Sequence, residues 1–204
     1  MDASVTYLVV AVLALAVVLI VMRARRRAAA RSGNASSAGR PARGRAADTL
    51  RGGPHRLAPG DRVRIRDMEY AVRGTLRLVE GDWSWVQHLL DGGTGTDHWL
   101  SVEGGPDPEL VLWTGEPGAT VTPGAPTIDL GGRRYTWSES GQARYTATGE
   151  TGLSPAGTMR YHDYQSGGAA RLAFEAYGEE GWRVSRGDLL DSAELAIQPT
   201  AEGR

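Results

Sequence analysis

Hydrophobic and polar positions change their rhythm twice along this chain. From Ala3 to Met22 no residue is charged, and most are Val, Leu or Ala. At 1.5 Å rise per residue such a run just crosses a hydrocarbon core of about 30 Å, which predicts one transmembrane α-helix over residues 1–22. From Ser32 to His55 large apolar residues nearly vanish, and Gly, Ala, Ser, Pro and Arg take their place. That composition cannot bury enough surface to fold, so residues 23–56 read as an Arg-rich disordered linker. Its part from 32 to 56 has an r.m.s. reach of roughly 25–30 Å.

Past Leu57 the period becomes two. Val63 and Ile65 alternate with Arg62, Arg64 and Arg66. Tyr70, Val72, Leu76 and Leu78 are placed by simple alternation on one face, opposite Arg73, Thr75 and Arg77. This is the pattern of half-buried antiparallel strands. Gly74, inward in mid-strand, predicts a bulge or the close approach of another backbone. Strands Trp85–Leu90 and His98–Val102 flank a hairpin loop, Asp91–Asp97, and Leu110–Trp113 closes a first group. Pro117, Pro123 and Pro126 break the chain there.

A second group follows: Ile128–Leu130, Tyr135–Trp137, Ala143–Ala147, Met159–Tyr164, Leu172–Tyr177, Trp182–Ser185 and Leu195–Gln198, with turns at Ser140-Gly141 and Gly178–Gly181. At most a short helical turn is expected near Leu189–Glu194. The expected class is all-β, an antiparallel meander or small barrel over 57–199 with a short tail at 200–204. The two groups rhyme, because each has an aromatic strand and a return strand carrying an acid: Trp99-Leu100-Ser101-Val102-Glu103 and Arg171-Leu172-Ala173-Phe174-Glu175. Two similar halves, 57–116 and 127–199, would explain this.

Charge sharpens the division. Residues 23–56 carry ten Arg against Asp48, whereas residues 57–204 carry thirteen Arg against twenty-two Asp and Glu, so +9 faces −9. The five arginines Arg23, Arg25, Arg26, Arg27 and Arg31 directly follow the apolar run. The positive-inside bias then places the N-terminus outside and the β domain in the cytoplasm, at the cell membrane. The same arginines suit anionic lipid headgroups, at roughly 1 kcal/mol each near the surface. A cleaved signal peptide would want basic residues ahead of a shorter core, and only Asp2 stands there. The Asn34-Ala35-Ser36 sequon carries no weight in a cytoplasmic linker.

Chemistry is sparse. There is no cysteine, hence no disulfide, thiolate site or lipoprotein anchor, and no lysine, hence no Walker motif. No serine sits in a Gly-x-Ser-x-Gly elbow. A net −9 folded part disfavours nucleic acid. His88, Asp91, Asp97 and His98 flank one hairpin, so an enzyme or metal-dependent domain using the His88/His98 region is the alternative reading, although glycine-flanked acids are ordinary turn formers. His162-Asp163 point to opposite faces of a strand. No catalytic, cofactor or metal residue is assigned.

The aromatics are the better signal. All six Trp lie in the folded part, and Trp99 and Glu103 share the strand face opposite Leu100 and Val102. Trp99, Glu103 and Trp113 are therefore the candidate surface for an unidentified cytoplasmic or membrane protein, against the plainer possibility that the tryptophans fill a core.

Leu57-Ala58-Pro59-Gly60-Asp61-Arg62-Val63, Tyr70 to Leu76, Trp85 to Leu90, Trp99 to Glu103, Gly157-Thr158-Met159-Arg160-Tyr161 and Phe174-Glu175 resemble the actinobacterial domain of unknown function 4178. The resemblance covers roughly Leu57 to Pro199. These are packing and turn residues, so it implies no particular chemistry. Members tend to sit near membrane-stress and envelope proteins, which implies a partner role, and the reading taken here is a non-enzymatic protein-interaction or accessory module.

Overall fold

Strands β1 (Arg62–Ile65) and β2 (Met68–Glu80) hold the clearest alternation, and they pair antiparallel across Arg66-Asp67. The computed structural model describes residues 53–198 apart from Thr94. The expected span and the arginines at 23, 25, 26, 27 and 31 lie outside the described residues. Among the described residues no helix is long and apolar enough to cross a membrane.

β2 continues into β3 (Trp83–Asp91), β4 (His98–Glu103) and β5 (Glu109–Gly115), a meander with every neighbour antiparallel. The order then recurs. β6 (Thr127–Leu130) turns through Gly131-Gly132 into the long β7 (Arg133–Gly149), followed by β8 (Ala156–Gln165), β9 (Ala170–Tyr177) and β10 (Arg183–Leu190). A last strand, β11 (Leu195–Gln198), caps β1. β5 pairs with β10, and β2 pairs with β7, so β2-β3-β4-β5-β10-β9-β8-β7 closes on itself as a ring of eight antiparallel strands. Closure leaves those strands no open edge.

β2 can serve two neighbours because it is bulged. Its register against β3 shifts between Val72 and Gly74, the two-against-one count of a β-bulge. Below the shift β2 pairs with β1; above it, Gly74 meets Gly149 and β2 pairs with β7. Both glycines are dictated by contact. A Cβ on Gly74 would lie 2.5 Å from the Thr151 methyl, and one on Gly149 2.5 Å from the Arg73 carbonyl.

The bulge also corrects the simple alternation. Val72 pairs with Leu90 and Thr75 with His88, on one face, whereas Leu76 and Leu78 point to the other. Tyr70 and Val72 thus belong to a cluster with Val63, Ile65, Leu90, Leu100, Val102 and Leu190. Leu76 and Leu78 belong to a separate cluster with Tyr145, Met159, Tyr161 and Tyr177, and Thr75 is buried rather than solvated. A third cluster joins Ile128 and Tyr135 to Tyr164, Leu172, Phe174 and Val184. The first hairpin covers the outer face of its meander, the second covers the outer face of the other, and the Leu76/Leu78 cluster fills the ring. Each fully buried Leu contributes roughly 1.5–3 kcal/mol.

Two further expectations change. Ser140-Gly141 is no turn, because β7 runs unbroken from Arg133 to Gly149. Gly141 is needed there for space: a Cβ would stand 2.6–2.7 Å from a Glu80 carboxylate oxygen and the Tyr161 hydroxyl. The strand expected at Trp182–Ser185 runs instead from Arg183 to Leu190, because Leu110–Gly115 of β5 supplies its partner.

Candidate functional site

The ring-facing residues follow from register. On β3 they are Trp83, Trp85, Gln87 and Leu89; on β4 they are Trp99, Ser101 and Glu103; on β5 they are Glu109, Val111 and Trp113. β7, β8 and β9 add Glu139, Tyr145, Tyr161, Asp163, Glu175 and Tyr177. Aromatics and carboxylates therefore share the inside of the ring.

Trp99 pairs directly with Trp113 across β4 and β5, and the Trp113 indole N–H donates to Ser101 Oγ at 2.9 Å. Trp113 lies flat because its neighbour on β10 is Gly187, whose hypothetical Cβ would sit 2.6 Å from the indole. Trp99 is half-buried against the central cluster, opposite Leu89 of β3. Aromatic residues over facing glycines recur at Tyr145 over Gly157 and Tyr161 over Gly141. This arrangement packs large rings into a small barrel without widening it.

Toward the end of the ring marked by the β2–β3 turn, the character becomes acidic. Trp83 donates its indole N–H to Glu103 Oε1 at 2.8 Å. Tyr161 donates to Glu80 Oε2 at 2.7 Å and meets Trp85 edge-on, with ring centroids 6.0 Å apart. Burial, with the bond to Glu80 and the nearby charges of Glu139 and Asp163, pushes the Tyr161 hydroxyl well above its ordinary range. Two pairs of carboxylates stand directly opposite one another in the ladder: Glu103 facing Glu109, and Glu139 facing Asp163.

Deeper in, Gln87 Nε2 donates to Glu175 Oε1 at 2.7 Å, and the Tyr177 hydroxyl donates to Glu175 Oε2 at 2.9 Å. Burial raises the Glu175 carboxyl above the usual range despite both donors. Gln87 is only 6 % exposed, and its Oε1 finds no donor.

The two histidines lie on the other face. His88 is fully buried, and Nε2 reaches the Pro54 carbonyl at 3.0 Å while Nδ1 meets Thr75 Oγ1 at 2.9 Å. A carbonyl only accepts, so the proton sits on Nε2 and Nδ1 accepts from the hydroxyl. Desolvation lowers the imidazole to about 4. His88 thereby ties the chain at Pro54–Leu57 to the sheet. His98 packs edge-on to Tyr70, 5.6 Å between centroids, with Thr114 Oγ1 at 3.2 Å from Nδ1. Among the described residues no group of three or more His, Asp or Glu is placed to hold a metal ion. His162 turns outward onto Trp182 while Asp163 faces the ring.

The structure thus brings Trp99, Glu103 and Trp113 to one face, with Glu103 at the acidic end and the tryptophans further in. Sequence reasoning missed Gln87, Glu80, Tyr161, Glu175 and Tyr177 as a set. Glu175 did carry a signal: an acid within the otherwise apolar run Leu172–Tyr177.

Residues 58–192 match the family described as Domain of unknown function (DUF4178). The chain is 35% identical over 154 residues to the uncharacterised protein Rv2597 of Mycobacterium tuberculosis and, equally, to the uncharacterised protein Mb2628 of Mycobacterium bovis. Each alignment covers 72% of this chain and 74% of the relative. No solved structure matches.

Proposed function

This chain belongs to the DUF4178 family, and on that footing we propose that it is a non-enzymatic interaction module whose acidic ring end receives an arginine-bearing segment of a protein partner. The observation that carries the reading is the pair of carboxylate pairs, Glu103 with Glu109 and Glu139 with Asp163, retained in direct opposition beside Trp83, Trp85 and Tyr161. A guanidinium brought to that end meets concentrated negative charge, stacks on the neighbouring rings, and is worth more there than an ammonium. In this reading the apolar run Ala3–Met22 anchors the module in the cell membrane, with the domain cytoplasmic and the arginine collar on anionic headgroups. The partner is a cytoplasmic or membrane protein, and a place in membrane or envelope stress fits that position. The alternative centred on His88 and His98 gains nothing from the geometry, since both His88 ring nitrogens are engaged inside the protein.

The test is binding of a fluorescent Arg-rich peptide to the full chain in detergent micelles, against an Ala-substituted peptide. Neutralising one carboxylate of each opposed pair, Glu103→Gln with Glu139→Gln, should weaken binding by about tenfold, with a shallower salt dependence. Binding unchanged by both substitutions would overturn the reading.

A further inference from the structure

We infer that the outer face of the ring over β2, β7 and β8, which carries Arg77, Arg144 and Arg160, docks on an anionic phospholipid surface. This face is separate from the ring end proposed above to take an arginine, and nothing in it depends on that end.

Register sets the face. Successive side chains of a strand alternate, so with Leu78, Tyr145 and Met159 inside, the residues on either side of them point out. Val79 pairs with Arg144, Arg144 with Thr158, and Gln142 with Arg160. The three arginines therefore run diagonally across three strands, each roughly 7–8 Å from the next. All three are exposed, and so are Gln142, Thr146 and Thr158 among them. The hairpin carrying Val63 and Ile65 packs on Leu90 and Leu100, and β6 packs on Tyr164 and Phe174, so neither covers this arc.

Charge and one apolar tip name the occupant. Among the described residues Arg77 and Arg144 form no ion pair, and Arg160 lies over the Trp182 ring at 5.2 Å. No carboxylate stands on the outward strand positions around them. The acids at the borders lie in turns: Asp82 and Glu179 are exposed, Arg73 holds Glu150 at 3.0 Å, and Arg183 holds Glu180 at 2.7 Å. Such a patch on a domain of net −9 attracts an anion locally. Val79 selects a bilayer. It is 41 % exposed, two residues along from Arg77 and directly opposite Arg144. An apolar tip among guanidinium groups suits the boundary between headgroups and acyl chains, and tryptophan, here Trp182, favours the same level. A nucleic acid strand would want open aromatic faces for its bases, whereas Tyr145 and Tyr161 are buried and Trp182 has Arg160 over it. Three arginines at an anionic surface strengthen the contact by about a hundredfold.

The chain has no native cysteine, so a single introduced one can carry a fluorophore. The full chain is mixed with vesicles of phosphatidylcholine, alone or with phosphatidylglycerol, that bear a lipid-borne quencher. A dye on Thr146→Cys, within the face, should be quenched strongly when phosphatidylglycerol is present and weakly on phosphatidylcholine alone. A dye on Glu69→Cys, exposed on the β1–β2 hairpin, should be quenched weakly on both. Attachment through residues 1–56 brings the whole domain near the bilayer but favours neither dye, so the contrast between them reports this face. Arg77→Gln with Arg144→Gln and Arg160→Gln should reduce Thr146 quenching to the Glu69 level, with the melting temperature unchanged because all three side chains are exposed. In the native chain the same quenching should fall as salt rises, which needs no arginine variant. Equal quenching of the two dyes, or quenching indifferent to the three arginines, overturns the inference. Binding of a labelled single-stranded RNA that is lost with the three arginines, alongside Thr146 quenching indifferent to phosphatidylglycerol, also overturns it and makes the face a nucleic-acid site.

Discussion

Gln87 on β3 donates its amide N–H across the ring to Glu175 on β9, at 2.7 Å, and so ties the two meanders through their middle. Burial raises the Glu175 carboxyl above its unfolded range. A group raised on folding contributes its stability below the unfolded value and loses it as pH rises through the folded one. Unfolding by denaturant should therefore show native protein losing stability, relative to Glu175→Gln, as pH climbs from the ordinary carboxylate range upward. Parallel pH profiles for the two would mean that Glu175 ionises as freely in the fold as outside it.

His88 has the opposite sign. Its folded value of about 4 lies below the unfolded 6.5. The linked stability is whole above about 6.5 and drains as pH falls toward 4, by at most about 3 kcal/mol. His88→Gln should flatten that acid limb while lowering stability at neutral pH, since the Pro54 carbonyl and the Thr75 hydroxyl lose a matched partner. Thermal melts between pH 4 and 8 decide it; an unchanged acid limb would mean that another group sets it.

Those two residues mark the limit of what alternation could reveal. β1 and the β4 faces were legible, because Val63/Ile65 and Leu100/Val102 obey a period of two without interruption. β2 was misread past Arg73, since a bulge reverses every later side chain and leaves only a glycine as its trace. β7 was read as two strands because its ring face carries Glu139 and Gly141 where a buried face should be apolar. The acidic end of the ring escaped for the same reason: its members come from five strands, and only closure of β2 on β7 brings Glu80 to Tyr161. Trp99, Glu103 and Trp113 were accessible to sequence because they lie on two adjacent strands.

Gly187 tests how tightly the ring is packed. Alanine there places a methyl 2.6 Å from the Trp113 indole and 2.7 Å from Val111 Cγ1, so Gly187→Ala should cost about 1–3 kcal/mol by overpacking. Gly181→Ala, where a Cβ meets nothing within 4 Å, should be close to neutral. Equal melting temperatures for the two variants would show that the ring yields easily around Trp113.

The proposed membrane arrangement is tested by fusion. A reporter active only in the cytoplasm, joined after Gln198, should work, and one active only outside should stay silent. Replacing Arg23, Arg25, Arg26 and Arg27 by Gln should scramble that pattern if, as proposed, these charges supply the orientation. An active external reporter in the native chain would place the β domain on the far side of the membrane.

Glu103 and His98 separate a binding module from an enzyme. They come from the same strand but face opposite ways, Glu103 toward the ring and His98 toward Tyr70. An interaction surface spreads its energy over a few large or charged groups, whereas a catalyst depends on one or two polar groups held in place. Trp99→Ala cannot decide, because losing a half-buried Trp from the central cluster removes stability along with any surface. Glu103→Gln keeps an oxygen to accept from the Trp83 indole while it removes the charge. It should leave the melting temperature almost unchanged and weaken capture of the partner from native membranes, while His98→Gln leaves capture intact. The reverse pattern, with His98→Gln abolishing the cellular phenotype in a folded protein that still captures its partner, would make the chain an enzyme and the module reading wrong.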